Sequence, residues 1–117
     1  MQEKLHIVPK GWGFEKWIVN NEKYCGKLLY FIKDRKCSWH YHKIKEETFY
    51  VQSGRLLLYY GWHEKIDLSR SILLRKGDHF HIPVGLKHQM QALEDTELFE
   101  FSTQHFDDDS YRIEKGD

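Results

Sequence analysis

Apolar and polar residues alternate with a period of two along most of this chain, in short runs broken by charged or glycine-bearing turns. That period belongs to half-buried β-strands. Residues 12–19 are expected to extend after the Pro9-Lys10-Gly11 break, and residues 24–33 (YCGKLLYFIK) form a long aliphatic and aromatic run before Asp34-Arg35-Lys36. Strands follow over 37–41, 47–52 and 55–62, the last two joined at Ser53-Gly54. Residues 71–74, 79–82, 88–93 and 98–102 complete the pattern. A helix is expected only over 62–70, and 107–117 reads as a short turn or strand. Short strands punctuated by turns predict an all-β sandwich or barrel. Leu29, Phe31, Phe49, Val51, Leu57 and Phe101 are expected inside it.

The same alternation aligns a set of metal-ligand side chains. The stretch Trp39-His40-Tyr41-His42 is followed by Glu46-Glu47 and a turn at Gly54, and His88 comes much later, after Gly77-Asp78-His79-Phe80-His81-Ile82-Pro83-Val84-Gly85. Residues i and i+2 of a strand point to one face, about 7 Å apart, so His40 and His42 can aim at one point. On the strand that follows, Glu47, Phe49 and Val51 share the apolar, inward face, whereas Glu46, Thr48 and Tyr50 share the other. Glu47, not Glu46, therefore reaches that point. Imidazoles with one carboxylate suit a divalent ion such as Mn, Fe, Co, Ni or Zn.

These two clusters resemble the two short motifs of the cupin superfamily. The family's spacing, counted back from Gly54, also selects Glu47, and the second motif matches at Gly77, Pro83, Gly85 and His88. Asp34 stands where the family usually has glycine, and Ala92 where it often has asparagine. Gly11-Trp12-Gly13-Phe14-Glu15, Lys27-Leu28-Leu29, both motifs, the run from Glu94 to Thr103 and the stretch from Asp107 to Glu114 together look like the cupin domain of type II mannose-6-phosphate isomerases. The resemblance implies a double-stranded β-helix, a jelly-roll barrel of two packed antiparallel sheets. It also implies one ion held by His40, His42, Glu47 and His88, and isomerisation of a sugar or sugar phosphate.

Composition narrows the setting. With 117 residues the chain fits one domain with one core. Lys plus Arg (18) equals Asp plus Glu (18), and the signs are interspersed, which argues against DNA or an anionic membrane as a partner. Two cysteines, Cys25 and Cys37, make no disulfide framework, and no apolar leader opens the sequence, so a cytoplasmic protein is expected. Aromatic residues are 15% of the chain, enough to fill a small two-sheet core, with Trp12, Trp17 or Tyr30 available for the barrel mouth. Exposed edge strands and family habit favour a homodimer.

Aldose–ketose isomerisation needs a polarised carbonyl and a group that carries a proton between neighbouring carbons. His81, before the Pro83 turn, is the first choice for that group; His79 shares its face, and Glu100 is a third candidate. Lys27, Lys87 or Arg112 could meet a phosphate, although no glycine-rich phosphate loop is present. Two other chemistries fit the same ligands: an Fe-dependent dioxygenase, and a sugar-binding or sensing module without turnover.

Overall fold

A computed structural model describes residues 1–117 as eleven strands. In chain order these are β1 (His6–Lys10), β2 (Gly13–Asn20), β3 (Cys25–Phe31), β4 (Trp39–Tyr41), β5 (Glu47–Ser53), β6 (Arg55–Gly61), β7 (Ser71–Arg75), β8 (His79–Ile82), β9 (Lys87–Ala92), β10 (Thr96–Ser102) and β11 (Tyr111–Glu114). They form one six-stranded sheet, ordered β1-β2-β3-β10-β5-β8, and one five-stranded sheet, ordered β11-β4-β9-β6-β7. Every pairing between strands is antiparallel. This is the expected two-sheet jelly roll.

Burial follows the alternation strand by strand. On β3, Cys25, Lys27, Leu29 and Phe31 are buried; on β5, Glu47, Phe49 and Val51; on β10, Thr96, Leu98 and Glu100. Leu56, Leu58, Leu74, Ile82 and Met90 close the core from the other strands. Fully burying one such side chain contributes about 1.5–3 kcal/mol. The charged members of this inward set, Lys27, Glu47 and Glu100, all line the inner chamber.

Three expectations fail on local grounds. Leu57 is only half-buried and Phe101 is exposed, because Leu56 and Leu58 on β6, and Leu98 and Glu100 on β10, occupy the inward positions. Glu100 faces in, so Phe101 must face out. Residues 62–70 form turns instead of a helix. There Asp67 Oδ1 accepts the Ser69 backbone N–H at 2.9 Å and its hydroxyl at 2.6 Å, a local arrangement that competes with helix. The N-terminal β1 is an unforeseen strand; it carries Pro9 on the sheet edge, where proline's missing N–H costs no pairing.

Two turns show what backbone geometry demands. Gly54 has φ +87°, and a Cβ there would meet the Asp95 carbonyl oxygen at 2.4 Å, so the β5–β6 turn needs glycine. Asp34 has φ 70°, the left-handed region, which explains the glycine usual at this place in the resembling family. Aspartate is among the side chains that tolerate that region. Cys25 and Cys37 are buried and unpaired, and burial pushes the Cys37 thiol up to about 12. No helix is long and apolar enough to cross a membrane.

Candidate metal centre

The two sheets meet around three imidazoles and one carboxylate. His40 lies on β4 opposite His88 on β9, His42 follows β4, and Glu47 opens β5 from the facing sheet. The ligating atoms of His40, His42 and His88 lie within 4.8 Å of one another. Glu47 Oε2 stands 3.1 Å from His42 Nε2 and 3.3 Å from His88 Nε2. His42, Glu47 and His88 are buried, while His40 keeps partial exposure toward the barrel mouth.

Hydrogen bonds set the tautomer of each ring. His40 Nδ1–H donates to the Ser38 carbonyl at 2.8 Å, His42 Nδ1–H to the Asp109 carbonyl at 2.9 Å, and His88 Nδ1–H to the Leu86 carbonyl at 2.9 Å. A carbonyl can only accept, so each Nδ1 carries the proton and each Nε2 presents a lone pair inward. Burial, together with the neighbouring His88 and His42, holds the His40 imidazole well below its ordinary value, which keeps it neutral. Glu47 Oε2 and His88 Nε2 are buried without a hydrogen-bond partner, despite their proximity. Converging lone pairs beside a carboxylate oxygen repel one another, and a buried unsatisfied polar atom is costly. A divalent cation resolves both problems. The donor set fits one.

Asp109, two percent exposed, holds the loop between His42 and Glu47. Its carboxylate accepts the backbone N–H of Lys43 and of Lys45, each at 2.9 Å, and of Ile44 at 3.1 Å. Its carbonyl accepts from the His42 ring. One residue therefore fixes both the loop between β4 and β5 and the orientation of a ligand ring, the kind of support that tunes metal sites. Nothing in the acidic run 107–109 singles this residue out from its neighbours, because its partners lie more than sixty residues earlier.

Behind Glu47 lies a buried charge cluster. Lys45 Nζ donates to Glu100 Oε2 at 3.0 Å and to His105 Nδ1 at 3.1 Å, and lies 3.6 Å from Glu47 Oε1. Burial pulls the Lys45 ammonium down, but Glu100 and Glu47 outweigh it and the net shift is upward. Burial pushes Glu47 up, yet the nearby Lys45 ammonium leads the opposing influences and the net shift is well below the usual carboxylate range. Burial and the Glu47 charge push Glu100 up, only partly offset by Lys45 and Lys27. Two carboxyls that share Lys45 are thus driven in opposite directions, one to remain ionised and one to hold a proton more tightly. His105, desolvated and facing Lys45 and Lys27, is lowered to about 4 and donates from Nε2 to Asp107 at 3.1 Å.

An inner chamber of about 70 Å³ touches His40, His42, Glu47, Lys45, Glu100 and Lys27. It shares Trp12, Glu15, His40 and His105 with an outer cleft of about 770 Å³ bounded also by Trp17, Arg112 and the segment 113–117. The structure thus gathers His40, His42, Glu47, Glu100 and Lys27 around one chamber, and His88 stands against His40 with ring centroids 4.4 Å apart. It leaves out His79 and His81. Glu47 pairs with Ile82 across β5 and β8, so Ile82 faces in and His79 and His81 face solvent, where His81 Nε2 pairs with Glu46. The role expected of these two histidines is corrected accordingly: neither can touch a ligand in the barrel. Lys87 is also outside, its ammonium 4.5 Å above the Tyr41 ring. Trp12 and Trp17 line the mouth as anticipated, whereas Tyr30 stacks on Phe14 away from it.

Known proteins are similar to this chain. A D-lyxose ketol-isomerase of Thermofilum sp. (strain ex4484_79) is 30% identical over an alignment of 142 residues, spanning 92% of this chain and 75% of that protein. The capsular polysaccharide assembling protein CapF of Staphylococcus aureus superposes with a TM-score of 0.80 at 19% identity, covering 97% of this chain, which spans only 35% of CapF. KdgF of Halomonas sp. superposes at 0.74 with 19% identity over 91% of this chain and 90% of its own. At these identities the two structures speak for the fold. Residues 31–102, the span from the end of β3 through β10 that carries all four candidate donors, match the family model described as Cupin domain, and the chain belongs to the cupin family.

Proposed function

We propose that the protein is a metal-dependent aldose–ketose isomerase acting on small sugars or sugar phosphates. The observation that carries this reading is the pairing of an inward donor set with a second buried carboxyl, Glu100, that lines the same chamber and is held 3.0 Å from Lys45. The name of the relative from Thermofilum sp., a ketol-isomerase of a sugar, points the same way.

A divalent ion held by His40, His42, Glu47 and His88 would supply Lewis-acid polarisation of the substrate's carbonyl and adjacent hydroxyl oxygens. Glu100 takes the proton from C2 of the aldose and returns it to C1, while the hydroxyl proton passes from O2 to O1, so that no atom is gained or lost. A carboxyl whose proton affinity is raised by burial suits both halves of that transfer. Lys45 holds Glu100 in place through its 3.0 Å contact and stays charged throughout. The Asp109 loop keeps Glu47 and His42 aimed inward, and the apolar walls around Phe49 and Met90 limit water near the transferred proton.

The test is reconstitution of the metal-stripped protein with Mn, Fe, Co, Ni or Zn, followed by incubation with aldoses, ketoses and their phosphates in deuterated water under anaerobic conditions. The expected result is ketose formation with deuterium at the carbon that receives the proton. Oxygen consumption with Fe(II) alone would favour a dioxygenase. Ligand-induced thermal stabilisation without exchange by any metal would favour a binding module.

A further inference from the structure

The cations nearest the chamber already have carboxylate partners, and one residue, Glu15, serves both Lys27 and Lys10. Lys27 is two percent exposed; its ammonium lies 3.4 Å from Glu15 Oε1 and 4.3 Å above the Trp17 ring. Lys10 approaches the other oxygen of Glu15 at 4.0 Å, and Trp17 Nε1–H donates to Oε1 at 2.9 Å. Glu15 is therefore the meeting point of both lysines, and it borders the inner chamber and the outer cleft alike. Lys45 donates to Glu100 Oε2 and His105 Nδ1 and lies 3.6 Å from Glu47 Oε1, so its charge is already met.

The outer cleft continues this balance. Lys10, Arg112 and Lys115 line it against Glu15, Asp107, Glu114 and Asp117, so it has no cationic surplus. A phosphate needs converging N–H donors or unpaired cations to replace its hydration, and it is repelled by a carboxylate in its path. A free sugar needs the opposite: carboxylate oxygens to accept its hydroxyls and an aromatic face for its C–H groups. Glu15 and Asp107 offer the first, Trp12 and Trp17 the second.

We propose that Glu15 sets the substrate class of this cleft: by engaging Lys27 and Lys10 it makes the site take uncharged aldoses and reject their phosphates. The catalytic half of this statement rests on the isomerase reading; the binding half does not.

The experiment uses the metal-loaded full chain and matched pairs, each a free aldose and its terminal phosphate, with inorganic phosphate as a separate probe. Calorimetric binding and initial rates are both read. The free sugar should bind and turn over about 100-fold better than its phosphate, the scale of a like-charge clash at a site. Glu15→Gln keeps an acceptor for Trp17 and releases the lysines, so the preference should fall about tenfold and inorganic phosphate should begin to compete. Preference for the phosphorylated member by the wild-type protein overturns the proposal whether or not the variant folds. So does an unchanged preference in a Glu15→Gln protein that unfolds at the wild-type temperature, and so does binding of neither member. Selective binding of free sugar without turnover upholds the proposal and sinks the isomerase reading instead.

Discussion

Lys45 and Glu100 form an ion pair inside the barrel, Nζ to Oε2 at 3.0 Å, with both side chains five percent exposed or less. Glu47 Oε1, the oxygen turned away from His42 and His88, lies 3.6 Å from the same ammonium. One lysine thus ties the proposed proton carrier to the proposed carboxylate donor. It offsets two buried carboxylates that would otherwise repel each other across the chamber, and charges out of water are tolerated only with such partners.

Removing the ammonium should therefore be costly. Lys45→Met leaves a chain of similar length and two uncompensated carboxyls, and the metal-free protein should lose about 3–5 kcal/mol, the scale for breaking a buried pair. Urea unfolding checks this. The double variant Lys45→Met, Glu100→Leu should recover a substantial part of the loss, because the second change removes the stranded charge. A double variant no more stable than Lys45→Met alone would mean that the pair contributes packing and little electrostatics.

Glu100→Gln separates chemistry from metal binding. The amide can still accept from Lys45 and from the Ser102 hydroxyl, now 3.1 Å from Oε2, but it cannot take up a proton. Metal content should stay at the wild-type level while kcat falls by about two orders of magnitude or more, the usual contribution of general acid–base help. Unchanged turnover would assign the proton transfer to another group.

Strand parity accounts for most of what the sequence made legible. Glu47 was distinguishable from Glu46 because Phe49 and Val51 mark the inward face of β5, and both are buried in the structure. The same rule applied to β8 would have placed His79 and His81 outside. The apolar positions there are Phe80 and Ile82, and both histidines project from the other face. Proximity to the Pro83 turn was the weaker signal. Phe101 misled for the converse reason: an inward carboxylate, Glu100, reverses the expected order on β10, and its partner Lys45 is brought in from a distant loop. Asp109 was illegible because its role consists entirely of long-range hydrogen bonds.

Paired substitutions test the ligand assignment. His88→Ala and Glu47→Gln each remove a donor from the inward set, and metal bound per chain should fall sharply in both. Glu46→Gln and His81→Asn lie on the solvent side and should leave metal content and activity within error of wild type. Chelation should lower the unfolding temperature of the wild-type protein, since a cation bound only to the folded state stabilises it by mass action, about 2.7 kcal/mol at a hundredfold excess over Kd. A Glu46→Gln variant that loses metal as Glu47→Gln does would place the carboxylate ligand on the wrong face of β5.

Acid sensitivity of the metal-free protein follows from the histidines. His105 has a folded value of about 4 against an ordinary 6.5, set by desolvation and by Lys45 and Lys27. As pH falls from 6.5 toward 4 the unfolded chain binds a proton that the folded chain refuses, so stability is lost across that window. His40, also depressed by burial, adds to the same loss, and Glu47 adds its own below the ordinary carboxylate range. Glu100 acts in the opposite sense: its raised value means that protonation on acidification relieves a buried charge. His105→Gln retains an acceptor for Lys45 and cannot titrate. Its stability curve, from urea unfolding of the metal-free protein across that window, should therefore be flatter than wild type. Each tenfold change in proton affinity corresponds to about 1.4 kcal/mol, and water still reaching the ring screens part of it, which leaves a difference of about 1–3 kcal/mol. Parallel curves for the two proteins would show that His105 titrates in the folded state as it does in the unfolded one.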